Sequence, residues 1–222
     1  MSPEKGVRPL CLPRLYAILD SDVAAGASWT LPDLASACLA GGARFLQVRA
    51  KNASSGWLLE TTGAIIERAR GADAIVIVND RADIARLSSA HGVHVGQDDL
   101  SPSAARAIVG DAATVVLSTH TGDQIEAALS QPISYLAIGP VFDTSTKATA
   151  YRAVGLARVR DAAERAGALP VVAIGGITLD SAVDVVHAGA ASVAVISDLL
   201  STADPEGRVR AYVERLAGVN NV

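Results

Sequence analysis

Gln47, Arg49 and Lys51 alternate along one short run, so an extended strand projects all three to the same face and presents an amide with two cations. Such a trio suits a polyanion; a solvated strand end with two surface charges is the plainer alternative. Val78-Asn79-Asp80-Arg81 and Gly96-Gln97-Asp98-Asp99 close two other runs. Carboxylates from separate strand ends, facing Arg and Lys, suit Mg2+ held with its waters between protein and pyrophosphate. Asp80 and Asp99 would serve equally well as N-caps of the helices that follow. Ser118-Thr119-His120-Thr121 adds hydroxyls and an imidazole, and Thr144-Ser145-Thr146-Lys147 adds hydroxyls and an ammonium able to grip phosphate. Gly175-Gly176-Ile177-Thr178 and Val195-Ile196-Ser197 supply a second anion pocket: glycine lets a ligand approach the backbone, and a helix N-terminus offers unpaired N–H groups. His91 and His94, three apart on a strand, face opposite sides and are not expected to share a metal. His187, late in a helical stretch, is expected to be a favourable C-terminal charge or a surface residue.

These residues need a scaffold that collects strand ends. Eight β-type runs recur: RLYAILD, RFLQVRA, AIVIVND, GVHVGQD, TVVLSTH, YLAIGPV, VVAIGG and SVAVIS. Most are continuously apolar, as parallel strands covered on both faces are. Amphipathic stretches at 57–70, 103–109, 123–129, 154–166, 179–188 and 206–216 alternate with them, and strand starts recur roughly every 20 to 30 residues, one βα unit each. AGGARFLQV at 40–48 and AGAASVAVI at 188–196 repeat one junction, a glycine-ended helix running straight into a buried strand. A doubly wound sheet also alternates β and α. Eight units with polar residues gathered after the strands favour a closed (β/α)8 TIM barrel, whose site lies at the C-terminal strand ends. The irregular segment 140–153, rich in Thr and Lys, follows the sixth strand and is expected to be functional.

The 222 residues suffice for one such barrel, expected as a single domain over 1–222 with 1–13 as an N-terminal extension. Half the residues are hydrophobic and 19% charged, which excludes a disordered chain. A net charge of -4 gives no general attraction to nucleic acid or anionic membrane, so anionic substrates must be held by local cations and backbone N–H groups. Cys38 lies in an apolar helical run and reads as a buried reduced thiol, which points to a reducing compartment. MSPEKGVRPLCLP lacks an apolar signal core, and no later run approaches the ~18 apolar residues of a membrane span. A soluble cytoplasmic protein is expected, with self-association into a homo-oligomer left open.

Taken together, YAILD, Q-V-R-A-K, V-N-D-R, GVHVGQDD, S-T-H-T, GPVF-D-T-S-T-K, AIGGIT and A-V-I-S closely resemble, in family order over residues 14–200, the thiamine phosphate synthase family. The resemblance implies a transferase that joins 4-amino-2-methyl-5-(diphosphooxymethyl)pyrimidine to hydroxyethylthiazole phosphate, or its carboxy form, with Mg2+ as cofactor and pyrophosphate as leaving group. By this resemblance Gln47, Arg49, Lys51, Asn79, Ser118 and Lys147 hold the pyrimidine pyrophosphate, Val48 and Ala50 count among the substrate-binding residues, and Arg49, Lys51, Ser118 and Lys147 act in catalysis. Asp80 and Asp99 would hold Mg2+, and Thr144, Ser145, Thr146, Gly176, Ile196 and Ser197 the thiazole phosphate. The chain departs from the family at Ala50, where an acid is usual, at Asp143, and at Ala150-Tyr151-Arg152, where proline is frequent; these bear on how the loop closes. Two other activities fit such a barrel: a thiazole tautomerase using His120 as proton carrier, and a phosphate-binding barrel without turnover.

Overall fold

A computed structural model of the chain describes residues 11–144 and 151–219. Eight parallel strands close in sequential order into a barrel. They are β1 (Leu15–Asp20), β2 (Phe45–Arg49), β3 (Ile75–Asn79), β4 (Gly92–Val95), β5 (Thr114–Thr119), β6 (Tyr135–Ile138), β7 (Val171–Ile174) and β8 (Ser192–Val195). Each of the eight expected runs contains its strand, and the residues that close each run lie at or just beyond the strand's C-terminal end.

Nine α-helices are present among the described residues: α1 (Ser21–Gly26), α2 (Leu31–Ala40), α3 (Ser55–Arg70), α4 (Ala82–Ser88), α5 (Pro102–Val109), α6 (Gly122–Leu129), α7 (Gly155–Ala166), α8 (Ala182–His187) and α9 (Pro205–Leu216). A 3-10 turn, Ser197–Leu200, precedes α9. The short helices α1 and α4 escaped the periodicity reading because six or seven residues do not complete two turns of an apolar stripe. The stretch at 179–188 is helical only over Ala182–His187; His187 lies in its last turn, as expected.

Helix starts follow local chemistry. Thr30, Ser54, Ser101, Thr121 and Asp204 each accept a hydrogen bond from a first-turn N–H of the helix they precede. The repeated junction is real in three dimensions: Gly42 and Gly189 both take positive φ, 101° and 105°, to turn α2 into β2 and α8 into β8.

Two apolar layers result from the strand alternation. Leu46, Val48, Val76, Val93, Leu136 and Val193 point outward into the shell under the helices, where Cys38 is also buried; burial pushes its thiol up to about 12. Tyr16, Phe45, Ile77, Val116, Tyr135 and Val172 fill the interior. Phe45 stacks on Tyr16 at 3.7 Å and meets Tyr135 edge-on at 5.9 Å, so large rings plug the lower barrel and leave the C-terminal mouth open for ligands. No helix among the described residues is long and apolar enough to cross a membrane.

Candidate active site

The mouth is a cavity of about 780 Å³ lined by Gln47, Arg49, Lys51, Asn79, Asp80, Asp99, Ser118, Thr144, Gly176, Ile196 and Ser197. Eleven of the expected site residues thus share one space, drawn from the ends of seven strands. Val48 and Ala50 do not. Their side chains are buried in the outer apolar layer, because the two-residue strand period that turns Gln47, Arg49 and Lys51 inward turns these outward. Ser145, Thr146, Lys147 and the departure at Ala150 lie outside the described residues.

Register explains the polyanion side. Asp20 pairs with Arg49 across β1 and β2, and its carboxylate, 3% exposed, forms an ion pair with Arg49 while accepting the N–H groups of Asp22 and Val23 at 3.1 Å each. The Arg49 guanidinium is therefore fixed in place before any ligand arrives. Asp20 is itself the polar residue that ends the first run, and attention to that run end would have found it.

Below Arg49 runs a buried polar chain. The Gln47 amide donates to the Tyr16 hydroxyl at 2.8 Å and lies 3.3 Å from His94 Nδ1, whose Nε2 is 2.7 Å from Ser118 Oγ. Burial raises the Tyr16 phenol well above its ordinary range, so it stays protonated. His94, set aside in the sequence as half of a histidine pair, thus sits between two site residues. Its alternation with the outward Val93 and Val95 was the available signal. His91 turns away, as expected, and accepts the Val76 N–H through Nδ1 at 3.0 Å.

The carboxylates are ligand candidates rather than caps. Arg81, not Asp80, occupies the cap position of α4, and Ser101 caps α5. Asp80 has φ 61°, a left-handed conformation that Asp tolerates at a cost of roughly 1–3 kcal/mol and that is found preferentially at functional sites. Lys51 Nζ lies 3.2 Å from Asp80 Oδ2. Burial, and then the Asp99 carboxyl beside it, push the Asp80 carboxyl above its ordinary value against the opposing pull of Lys51. Asp99 also accepts the Gly96 N–H at 2.8 Å. Two carboxylates that disfavour each other's charge are an arrangement a cation relieves.

Around the far rim, His120 Nδ1 bonds the Gly139 carbonyl while its ring stacks on Tyr151 at 4.0 Å and 15°, and the Tyr151 hydroxyl accepts from Gln124 at 3.2 Å. Tyr151, one of the departures, therefore helps wall the cavity. At the end of β7, Gly176 lines the mouth on one side and packs against protein on the other. A Cβ on Gly176 would lie 2.5 Å from the Asp143 carbonyl and 2.8 Å from Phe142, so this glycine admits the β6–α7 segment. Two N–H groups of the following turn are also engaged, Thr178 with Ser181 at 3.0 Å and Leu179 with Asp198 at 3.1 Å.

Residues 15–199 match the family model of thiamine monophosphate synthase. The chain belongs to that family. It is 44% identical over 209 residues to thiamine-phosphate synthase of Koribacter versatilis, covering 93% of this chain and 97% of that one. The Thermus thermophilus enzyme of the same name is 41% identical over 215 residues, 94% and 99% of the two chains. Among solved structures, thiamine phosphate pyrophosphorylase from Pyrococcus furiosus superposes with a TM-score of 0.83 at 30% identity, over 93% of this chain and 98% of that one. Membership makes this barrel a transferase of thiamine biosynthesis.

Proposed function

We propose that the chain joins the pyrimidine pyrophosphate to the thiazole phosphate, giving thiamine phosphate and pyrophosphate, or to its carboxy form, giving the same products and carbon dioxide. The observation that carries this reading is one cavity with two unlike sides. Arg49 and Lys51 stand beside paired carboxylates on β2–β4, and Ile196, Ser197 and Gly176 stand opposite on β7 and β8. The first side suits a pyrophosphate and the second a phosphate.

Asp80 and Asp99 fit a hard cation. A pair of carboxylates suits Mg2+, which usually keeps several waters and is held by one or two carboxylates together with substrate phosphates. When bound there it would neutralise the charge that gathers on a leaving pyrophosphate. Arg49, preset by Asp20, and Lys51 meet the same charge with electrostatic groups already in place, and the family resemblance assigns Lys147 to it as well. The methylene–oxygen bond of the pyrimidine substrate breaks, its electron pair leaving with pyrophosphate, and the resulting ring-stabilised cation accepts the thiazole nitrogen lone pair. Gln47, Asn79 and Ser118 orient the pyrimidine ring, with His94 holding Gln47 and Ser118 in register. No protein nucleophile is required.

Incubation of the purified protein with Mg2+ and both substrates should yield thiamine phosphate and pyrophosphate in equal amounts. Isomerised thiazole phosphate without coupling would select the tautomerase, and binding without either product the non-catalytic barrel.

A further inference from the structure

The turns after β7 and β8 are joined by a carboxylate for which the proposed chemistry has no use. Asp198, in the 3-10 turn after β8, lines the cavity and accepts the Leu179 N–H from the turn after β7. Arg208 of α9 grips it from behind: Nη2 lies 2.9 Å from Oδ1 and 2.8 Å from Oδ2, with Nε 3.2 Å from Oδ2. The Tyr212 hydroxyl also donates to Oδ2, and the guanidinium carbon sits 5.8 Å from the Tyr212 ring centre. Burial and the adjacent carboxylate hold the Tyr212 phenol far above its ordinary range, so it remains a donor.

With four donor contacts on Oδ2, from Leu179, Arg208 and Tyr212, and one from Arg208 on Oδ1, Asp198 is engaged chiefly by protein and is poorly placed to act as a base or metal ligand. The two charged side chains are only 21% and 12% exposed, so water screens them weakly. A carboxylate so placed should repel a phosphate bound between the same two turns. Yet it is also the group that ties those turns together.

We propose that Arg208 is a positioning residue that masks the charge of Asp198, letting the carboxylate brace the β7 and β8 turns without repelling the phosphate of the thiazole substrate. This rests on the reading that the thiazole phosphate lies between those turns. It assigns α9, which lies outside the mouth, a part in substrate affinity.

A double-mutant cycle tests it, with KM for each substrate, kcat and thermal melting measured for Arg208→Gln, Asp198→Asn and the double variant. Arg208→Gln should raise KM for the thiazole phosphate roughly tenfold, with kcat and the pyrimidine KM within about threefold; added salt should shrink the defect. Asp198→Asn introduced into Arg208→Gln should recover most of the lost affinity, because the charge needing a mask is gone. Arg208→Lys, which keeps the charge and protects against a folding failure of the glutamine variant, should stay within threefold of the parent. A double variant no better than Arg208→Gln, or an Arg208→Lys defect as large as that of Arg208→Gln, would show a purely structural tie and overturn the mask. Normal turnover with all variants within twofold of the parent would remove the mask and leave the proposed reaction standing. Absence of both turnover and thiazole phosphate binding in the parent chain would remove both.

Discussion

Asp80 shows how much one residue can report. Its left-handed backbone, its burial and its neighbour Asp99 all act against an isolated carboxylate, and the fold retains it at the mouth nonetheless. Asn shares the tolerance for that backbone, so Asp80→Asn should leave the melting temperature nearly unchanged. Turnover at saturating Mg2+ should fall on the order of a hundredfold or more as an anionic ligand is lost. Full activity with unaltered Mg2+ dependence in both Asp80→Asn and Asp99→Asn would dismiss the metal role. Lys147 and Thr144 should separate by kinetic signature. Lys147, assigned to pyrophosphate charge that grows in the transition state, should cost about 3 kcal/mol in kcat when changed to Ala. Thr144→Ala should chiefly raise KM for the thiazole phosphate, whose charge hardly changes during reaction. If Lys147→Ala only raised a KM, leaving-group stabilisation by that residue would be abandoned.

At the scale of elements, the site depends on how the β6–α7 segment leans on the end of β7. Pro140 and Val141 lie against Gly175, and Phe142 and Asp143 against Gly176, with backbone hydrogen bonds from Val141 to Ile174 at 2.9 Å and from Phe142 to Gly175 at 3.0 Å. Gly176→Ala would place a methyl group inside this contact at a residue with φ 63°. The expected cost is about 1–3 kcal/mol, a fall in Tm of roughly 5 °C for a chain of this size. The thiazole KM should rise alongside, because Thr144 follows directly from the displaced segment. An unchanged melt together with an unchanged KM would mean that the segment does not need this support.

For the whole molecule, the barrel interior decides both stability and the depth of the cavity. Phe45 is fully buried between Tyr16 and Tyr135, beneath Gln47. Phe45→Ala should cost roughly 3–5 kcal/mol by loss of transfer energy and creation of a cavity. That corresponds to a fall in Tm on the order of 10 °C, read by circular dichroism. Turnover at 25 °C should survive within a few-fold, since Arg49, Lys51 and the carboxylates are anchored above this layer by Asp20 and the strand ends. A loss of only a few tenths of a kcal/mol would show that the rings are not closely packed.

The barrel and most of its mouth were legible in the chain because both follow from local periodicity. A two-residue alternation turns Gln47, Arg49 and Lys51 to one face and, by the same rule, sends Val48 and Ala50 outward. Continuous apolar runs require helices on one side and a filled interior on the other. What the sequence could not settle was pairing between distant elements. Whether Asp80 was a cap or a ligand candidate depended on the backbone of Arg81 and the approach of Asp99 from the loop after β4. The hold of Asp20 on Arg49 depended on the β1–β2 register, the place of His94 on the closed barrel that sets residues of β2 and β5 to either side of β4, and the burial of Asp198 on α9 packing beside the turn after β8. Most of these are contacts between residues on different elements of the barrel. Local propensity carries no information about such contacts until the closed sheet brings the strand ends into one space.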